Sequence, residues 1–129
     1  MSDANLDEEQ AAREADARRR LSGAGAAALP RAPWLHRNQP PSAVDLIRFA
    51  VWRSGRTTHL DDEGLLAALT LLAAARAEVD QAEAALLFTA RARGLPWPRI
   101  SRAMGLGSAQ AAQQRFDRVS GRVTGRGSA

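Results

Sequence analysis

The chain is 129 residues long, enough for a modest core, and it has no cysteine, which excludes disulfides and thiolate-held metals or clusters. Tyrosine is absent and aromatic residues make up 5% of the chain, which argues against a large aromatic-lined pocket or a base-stacking platform. All 18 basic residues are arginine, and the net charge of +4 is unevenly spread: −2 over residues 1–21, −1 over 22–90 and +7 over 91–129, where eight arginines face Asp117 alone.

Ala/Leu richness and the near absence of alternating β-branched runs predict an all-α fold. The N-terminus is acidic without an apolar core, so no signal peptide is expected. The longest apolar-looking run, Gly64 to Ala75, is too short to span a bilayer. A cytoplasmic, nucleoid-associated protein with no membrane contact is the expectation.

Residues 1–21 run from Asp7-Glu8-Glu9 to Arg18-Arg19-Arg20, with Leu6 and Leu21 isolated. So little apolar surface predicts a disordered arm. Residues 22–41 are rich in Gly, Ala and Pro and read as a linker, and 1–41 together form an arm outside the folded domain. Trp34-Leu35 is the apolar pair of that linker and is expected to anchor on the helical body.

Residues 42–120 are expected to form the helical domain. Ser42, with Asp45 three residues on, resembles a capping box, and Val44, Ile47 and Val51 share a face of a helix that Gly55 stops. Asp61-Asp62-Glu63 suits the first turn of the next helix, with Asp61 as cap and Leu60 and Leu65 as a hydrophobic staple. His59 beside these acids has the residue types of a metal site, but helix capping explains the carboxylates, so no metal is expected. From there to Arg93 one unbroken helix is predicted. Its seam, Leu65, Ala68, Leu72, Ala75, Val79, Ala82, Leu86 and Thr89, is coiled-coil-like and suits either intramolecular packing or a homodimer through residues 61–93.

Gly94 ends that helix, and Leu95-Pro96-Trp97-Pro98 makes a rigid corner. Residues 97–119 then spell two short helices about a turn. Ile100 and Met104 share a face of the first, Gly105-Leu106-Gly107 breaks it, and Ser108 caps the second. Ala112, Phe116 and Val119 form the inner stripe of the second helix, leaving Gln110, Gln114 and Asp117 outermost. Short helix, tight turn and second helix with a polar outer face is the pattern of a DNA-binding helix-turn-helix. The concentrated arginine supplies the charge that a polyanion partner requires.

In that pattern Ser108, Gln110, Ala111, Gln113 and Gln114 are the candidates for contact with DNA bases. Glutamine pairs bidentately with adenine, and alanine meets a thymine methyl. Arg99, Arg102, Arg115, Arg118 and Arg122 are the candidates for phosphate. Residues 121–129, with glycine at 121, 125 and 127, are expected to be a flexible basic tail. No nucleophile motif or phosphate loop is present, so neither an enzyme nor a bound cofactor is expected.

Residues 61–119 resemble the small helix-turn-helix DNA-binding regulators common in actinobacteria. The resemblance rests on the long Ala/Leu/Glu helix, Gly94 and Trp97 at the corner, Ile100, Gly105, Ser108, Gln110-Ala111-Ala112, Arg115, Phe116 and Arg118. The motif is also similar to the promoter-reading helix-turn-helix of sigma factors, with a turn about one residue longer. The sequence departs from the pattern at Pro96, where a capping serine is usual, and at Gln113 and Gln114, where charged residues are common. A transcriptional regulator that binds double-stranded DNA is expected, and a homodimer on paired half-sites with it, because a single head has limited contact area. The alternative is a helical adaptor whose partner is RNA polymerase or another regulatory protein, without DNA binding of its own.

Overall fold

Every regular element among the described residues is helical. The structure is a computed structural model that describes residues 3–56 and 60–127, the last six of these as backbone alone. His59 lies outside the described residues. The chain divides into two compact units, residues 1–78 and 79–129.

The first unit begins with α1 (Asp3–Gly23), where the sequence predicts a disordered arm. The difference comes from its last turns. Leu21 is fully buried and Ala17 nearly so, and both join one core with Leu46, Phe49 and Leu71. Burying one leucine completely stabilises by about 1.5–3 kcal/mol, and Leu21 is the one large apolar side chain that α1 buries. A 3₁₀ turn (Ala26–Ala28) follows, with Ala26 buried.

The segment after it is not a plain linker. The Arg31 guanidinium donates to the carbonyl oxygens of His36 at 2.8 Å and Gln39 at 2.7 Å, folding the stretch back on itself. Trp34 does not anchor on the helical body; it is 78% exposed.

Helix α2 (Ala43–Ser54) is capped by Ser42, whose hydroxyl accepts from the Val44 N–H at 3.2 Å. Asp45 stands exposed in the first turn, and the acid that bonds to the helix start is Glu78 from far along the chain. Glu78 accepts from the Ser42 hydroxyl at 2.6 Å and the Ala43 N–H at 2.7 Å, where the helix dipole favours negative charge. Arg18 lies 4.0 Å from the same carboxylate and donates to the Pro41 carbonyl, tying α1 to the entry of α2.

Asp61 caps α3 (Asp62–Thr70) as expected, accepting from the Gly64 N–H at 2.8 Å. Leu60 is buried over Gly64, while Leu65, its expected staple partner, stays 41% exposed. A Cβ at Gly64 would lie 2.5 Å from the Leu60 Cγ, so the close approach needs glycine.

The long helix expected over 61–93 is two helices, α3 and α4 (Leu72–Ala92). At the break, the Leu71 N–H bonds back to Ala68 at 3.1 Å, a three-residue rather than four-residue reach. Just before it, the Thr70 hydroxyl donates to the Leu66 carbonyl at 2.9 Å, a back-bond that bends helices. The expected seam is not buried as one stripe: Leu72 is half-buried, and Ala82 and Thr89 are exposed. Ala68 and Ala75 are buried, whereas Leu65, Val79 and Leu86 are exposed.

The second unit holds the rest of α4, then α5 (Trp97–Ala103) and α6 (Ala109–Gly127). Its core is Leu87, Ile100, Ala112 and Val119, with Trp97, Met104, Leu106 and Phe116 packed against it. The expected inner stripe is therefore the packed one. The tail expected from 121 is helical backbone to Gly127. Gly121 does not take the positive φ that ends α4 and α5, and glycine weakens a helix without breaking it. Among the described residues no helix is long and apolar enough to cross a membrane.

Candidate functional site

Two glycines build the geometry of the second unit. Gly94 at φ +80° and Gly105 at φ +72° occupy the left-handed region that glycine adopts without strain. Each closes a helix by the same pair of bonds. After α4, the Leu95 N–H reaches Ala90 at 3.0 Å and the Gly94 N–H reaches Arg91 at 2.9 Å. After α5, the Leu106 N–H reaches Ser101 at 2.9 Å and the Gly105 N–H reaches Arg102 at 3.2 Å. These are Schellman closures, and in both the following leucine turns into the core.

The turn from α5 to α6 has a second lock. Ser101 is buried at 3% exposure, and its hydroxyl donates to the carbonyls of Ser108 at 2.7 Å and Leu106 at 3.1 Å. Ser108 then caps α6 by accepting from the Ala111 N–H at 3.1 Å. Sequence reasoning passed over Ser101, although it sits beside Ile100 and three residues before Met104, on the inner face of α5.

At the corner, Pro96 precedes α5 without a side-chain cap, and its carbonyl accepts from the Arg99 and Ile100 N–H groups. Trp97 packs on Phe116 with ring centroids 6.0 Å apart. The Arg91 guanidinium lies 4.9 Å above the Trp97 ring and donates to the Leu95 carbonyl at 2.9 Å. Arg91 thus serves the corner, a role that its place in a basic run does not reveal.

The outer face of α6 carries Gln110, Gln113, Gln114, Asp117 and Arg118, all exposed. Ala111 is half-buried at the edge of that face, and Ser108 is exposed at its start with its hydroxyl engaged in the cap. Arg99 and Arg102 are exposed on α5. Arg115 differs from the other phosphate candidates. Its Nε–H donates to both carboxylate oxygens of Glu83, at 3.0 and 3.2 Å, so it ties α6 to α4 within the unit. Glu83 lies four residues before Leu87 and so on the inner face of α4, a signal that spacing gives, though not which arginine it meets. The Arg122 side chain lies outside the described residues.

Residues 79–129 carry eight arginines against three acids, a net charge of +5. With Arg115 held by Glu83 and Arg91 on Trp97, the exposed positive charge on the described side chains of α5 and α6 comes from Arg99, Arg102 and Arg118. The arrangement is a polar, glutamine-rich helix face with guanidinium groups available beside it, on two helices fixed by a rigid turn. It can present hydrogen-bond donors and acceptors, with positive charge, to an extended anionic surface. The chain matches no family model, no characterised protein and no solved structure.

Proposed function

We propose that the chain is a DNA-binding transcriptional regulator of the helix-turn-helix kind. Helix α6 lies in the major groove as the reading helix, and α5 lies across the backbone. Gln110, Gln113 and Gln114, with Ser108 and Ala111 at the leading turn, face base edges, where the paired donor and acceptor of a glutamine amide suit adenine. Arg99, Arg102, Arg118 and Arg122 grip phosphate. Arg115 acts by holding α6 in place. The observation that carries the reading is the exposed glutamine face of α6, with exposed Arg99, Arg102 and Arg118 on the same two helices, about a turn held by Gly105 and Ser101.

A single such head has little contact area, so the regulator works as a dimer on paired half-sites, with residues 61–93 contributing to the contact. Exposed Leu65, Leu66, Leu69, Val79 and Leu86 support that part of the reading. Selection of bound duplexes from a random-sequence pool tests the proposal. Enrichment of one short motif, repeated as a half-site, is expected. An unenriched pool together with absent duplex binding leaves the adaptor reading, for which the exposed apolar side chains of α2 and α3 are the supporting feature.

A further inference from the structure

The first unit holds an unfilled apolar groove and, elsewhere, an unburied tryptophan. The groove has a volume of about 410 Å³ and is lined by Ile47 and Val51 of α2, Leu65 and Leu69 of α3, and Leu72 at the start of α4. That volume is in the range of sites that hold a large apolar group. Val51 is 72% exposed and Leu69 60%, so the walls are themselves uncovered. Trp34 is 78% exposed at the tip of the loop that Arg31 folds closed. A tryptophan offered on an ordered loop has little conformational freedom left to lose on docking.

Trp34 does not occupy the groove of its own chain. The chain enters its loop at Leu29-Pro30, which flank Asp45, Arg48, Phe49 and Trp52 on one side of α2. The groove uses Ile47, Ala50, Val51 and Ser54 on the other side of the same helix. At about 100° per residue these two sets lie on opposite flanks.

Charge also matches. Arg31, His36 and Arg37 surround Trp34 in the loop, and Arg37 is exposed. At the groove, Asp62 precedes Leu65 and Leu69 by three and seven residues and therefore shares their face of α3, and it is exposed. The protein thus carries a basic loop with one large apolar side chain and, elsewhere, an apolar groove with one exposed carboxylate, Asp62, in line with its Leu65 and Leu69 wall.

We infer that two copies associate by reciprocal exchange of this contact. Trp34 of each copy fills the α2–α3 groove of the other, and Arg37 lies near Asp62 across the junction. A contact in which each copy gives a tryptophan and receives one is self-complementary about a two-fold axis, so it closes as a dimer. Tryptophan filling an apolar recess has the character of an interface hot spot. The inference rests on the dimer in the function proposed above and names its contact; it does not depend on DNA.

Sedimentation equilibrium of the full chain tests it, with Trp34→Ala, Leu69→Asp and their equimolar mixture. Both positions are exposed, so the folded unit is retained, which far-ultraviolet circular dichroism checks. The wild type is expected to be a dimer, with each variant weakening self-association by about thirtyfold or more. The mixture is expected to recover a heterodimer, because the Leu69→Asp copy still offers Trp34 to the intact groove of the Trp34→Ala copy. A wild-type dimer untouched by Trp34→Ala overturns the contact while leaving the dimer standing. A monomeric wild type overturns both, and variants that weaken without recovering in the mixture overturn the reciprocal exchange.

Discussion

The hydroxyl of Ser101 on α5 donates across the turn to the carbonyl of Ser108, 2.7 Å away, and so fixes the residue that caps α6. One proton serves this carbonyl and that of Leu106 at 3.1 Å, a part-buried three-centre bond. Ser101→Ala leaves both carbonyls without this donor. The expected loss is about 1–2 kcal/mol of unfolding free energy, measured by urea denaturation followed by circular dichroism. An unchanged midpoint would mean that the bond contributes nothing to the turn.

Gly105 at φ +72° is the second constraint on the same turn. Nothing lies within 4 Å of where a Cβ would sit, so the effect of Gly105→Ala is purely conformational. A left-handed alanine is disfavoured by about 1–2 kcal/mol, and the melting temperature should fall accordingly. Gly94→Ala, with the same open surroundings at φ +80°, should behave alike and serves as an internal control.

Gly64 gives the opposite kind of test. It is helical, so Gly64→Ala gains about 1 kcal/mol of helix propensity. The new Cβ would meet Leu60, which is buried beside it, at 2.5 Å. Overpacking of this sort is unfavourable by about 1–3 kcal/mol, so net destabilisation of the first unit is expected. A more stable Gly64→Ala protein would show that Leu60 is free to move aside.

Much of the second unit is legible in the sequence, because its core repeats with helical period. Ile100 with Met104, and Ala112 with Phe116 and Val119, mark two inner faces, and glycines with positive φ end two helices where the pattern stops. The first unit is far less legible. Helix α1 is held by Leu21 and Ala17, one leucine and one alanine, which cannot produce a periodic stripe. The break at Leu71 arises from a threonine back-bond, with no glycine or proline to announce it. At the candidate site, exposure of the glutamine face follows from spacing, but the pairing of Arg115 with Glu83 joins residues 32 apart and needs the fold.

That pairing separates Arg115 from the other arginines of the motif. Its side chain is 40% exposed and that of Glu83 18%, so solvent screening keeps the coupling modest. A double-mutant cycle with Arg115→Gln and Glu83→Gln should give about 0.5–1 kcal/mol in stability. Removing Arg115 should leave the salt slope of duplex binding unchanged, whereas removing a phosphate contact lowers it by about 1.

Gln114 lies on the outermost line of α6 and is exposed. If it reads a base, Gln114→Ala relaxes preference at one position of the selected site, with discrimination there falling by about 1–3 kcal/mol. Competition among single-base variants of that site measures this. Equal weakening on all duplexes would assign Gln114 to the backbone instead.

The salt dependence of duplex binding tests the central claim most directly, measured by anisotropy of a short labelled duplex between about 50 and about 200 mM monovalent salt. Four phosphate contacts, from Arg99, Arg102, Arg118 and Arg122, predict a slope of log affinity against log salt of about −3.6 for each bound copy, of which the three exposed arginines Arg99, Arg102 and Arg118 supply about −2.7. Changing all three to glutamine should remove that contribution while leaving the helical content intact. Binding that is absent, flat in salt, or equally steep in the triple variant would contradict the assignment of this face to DNA.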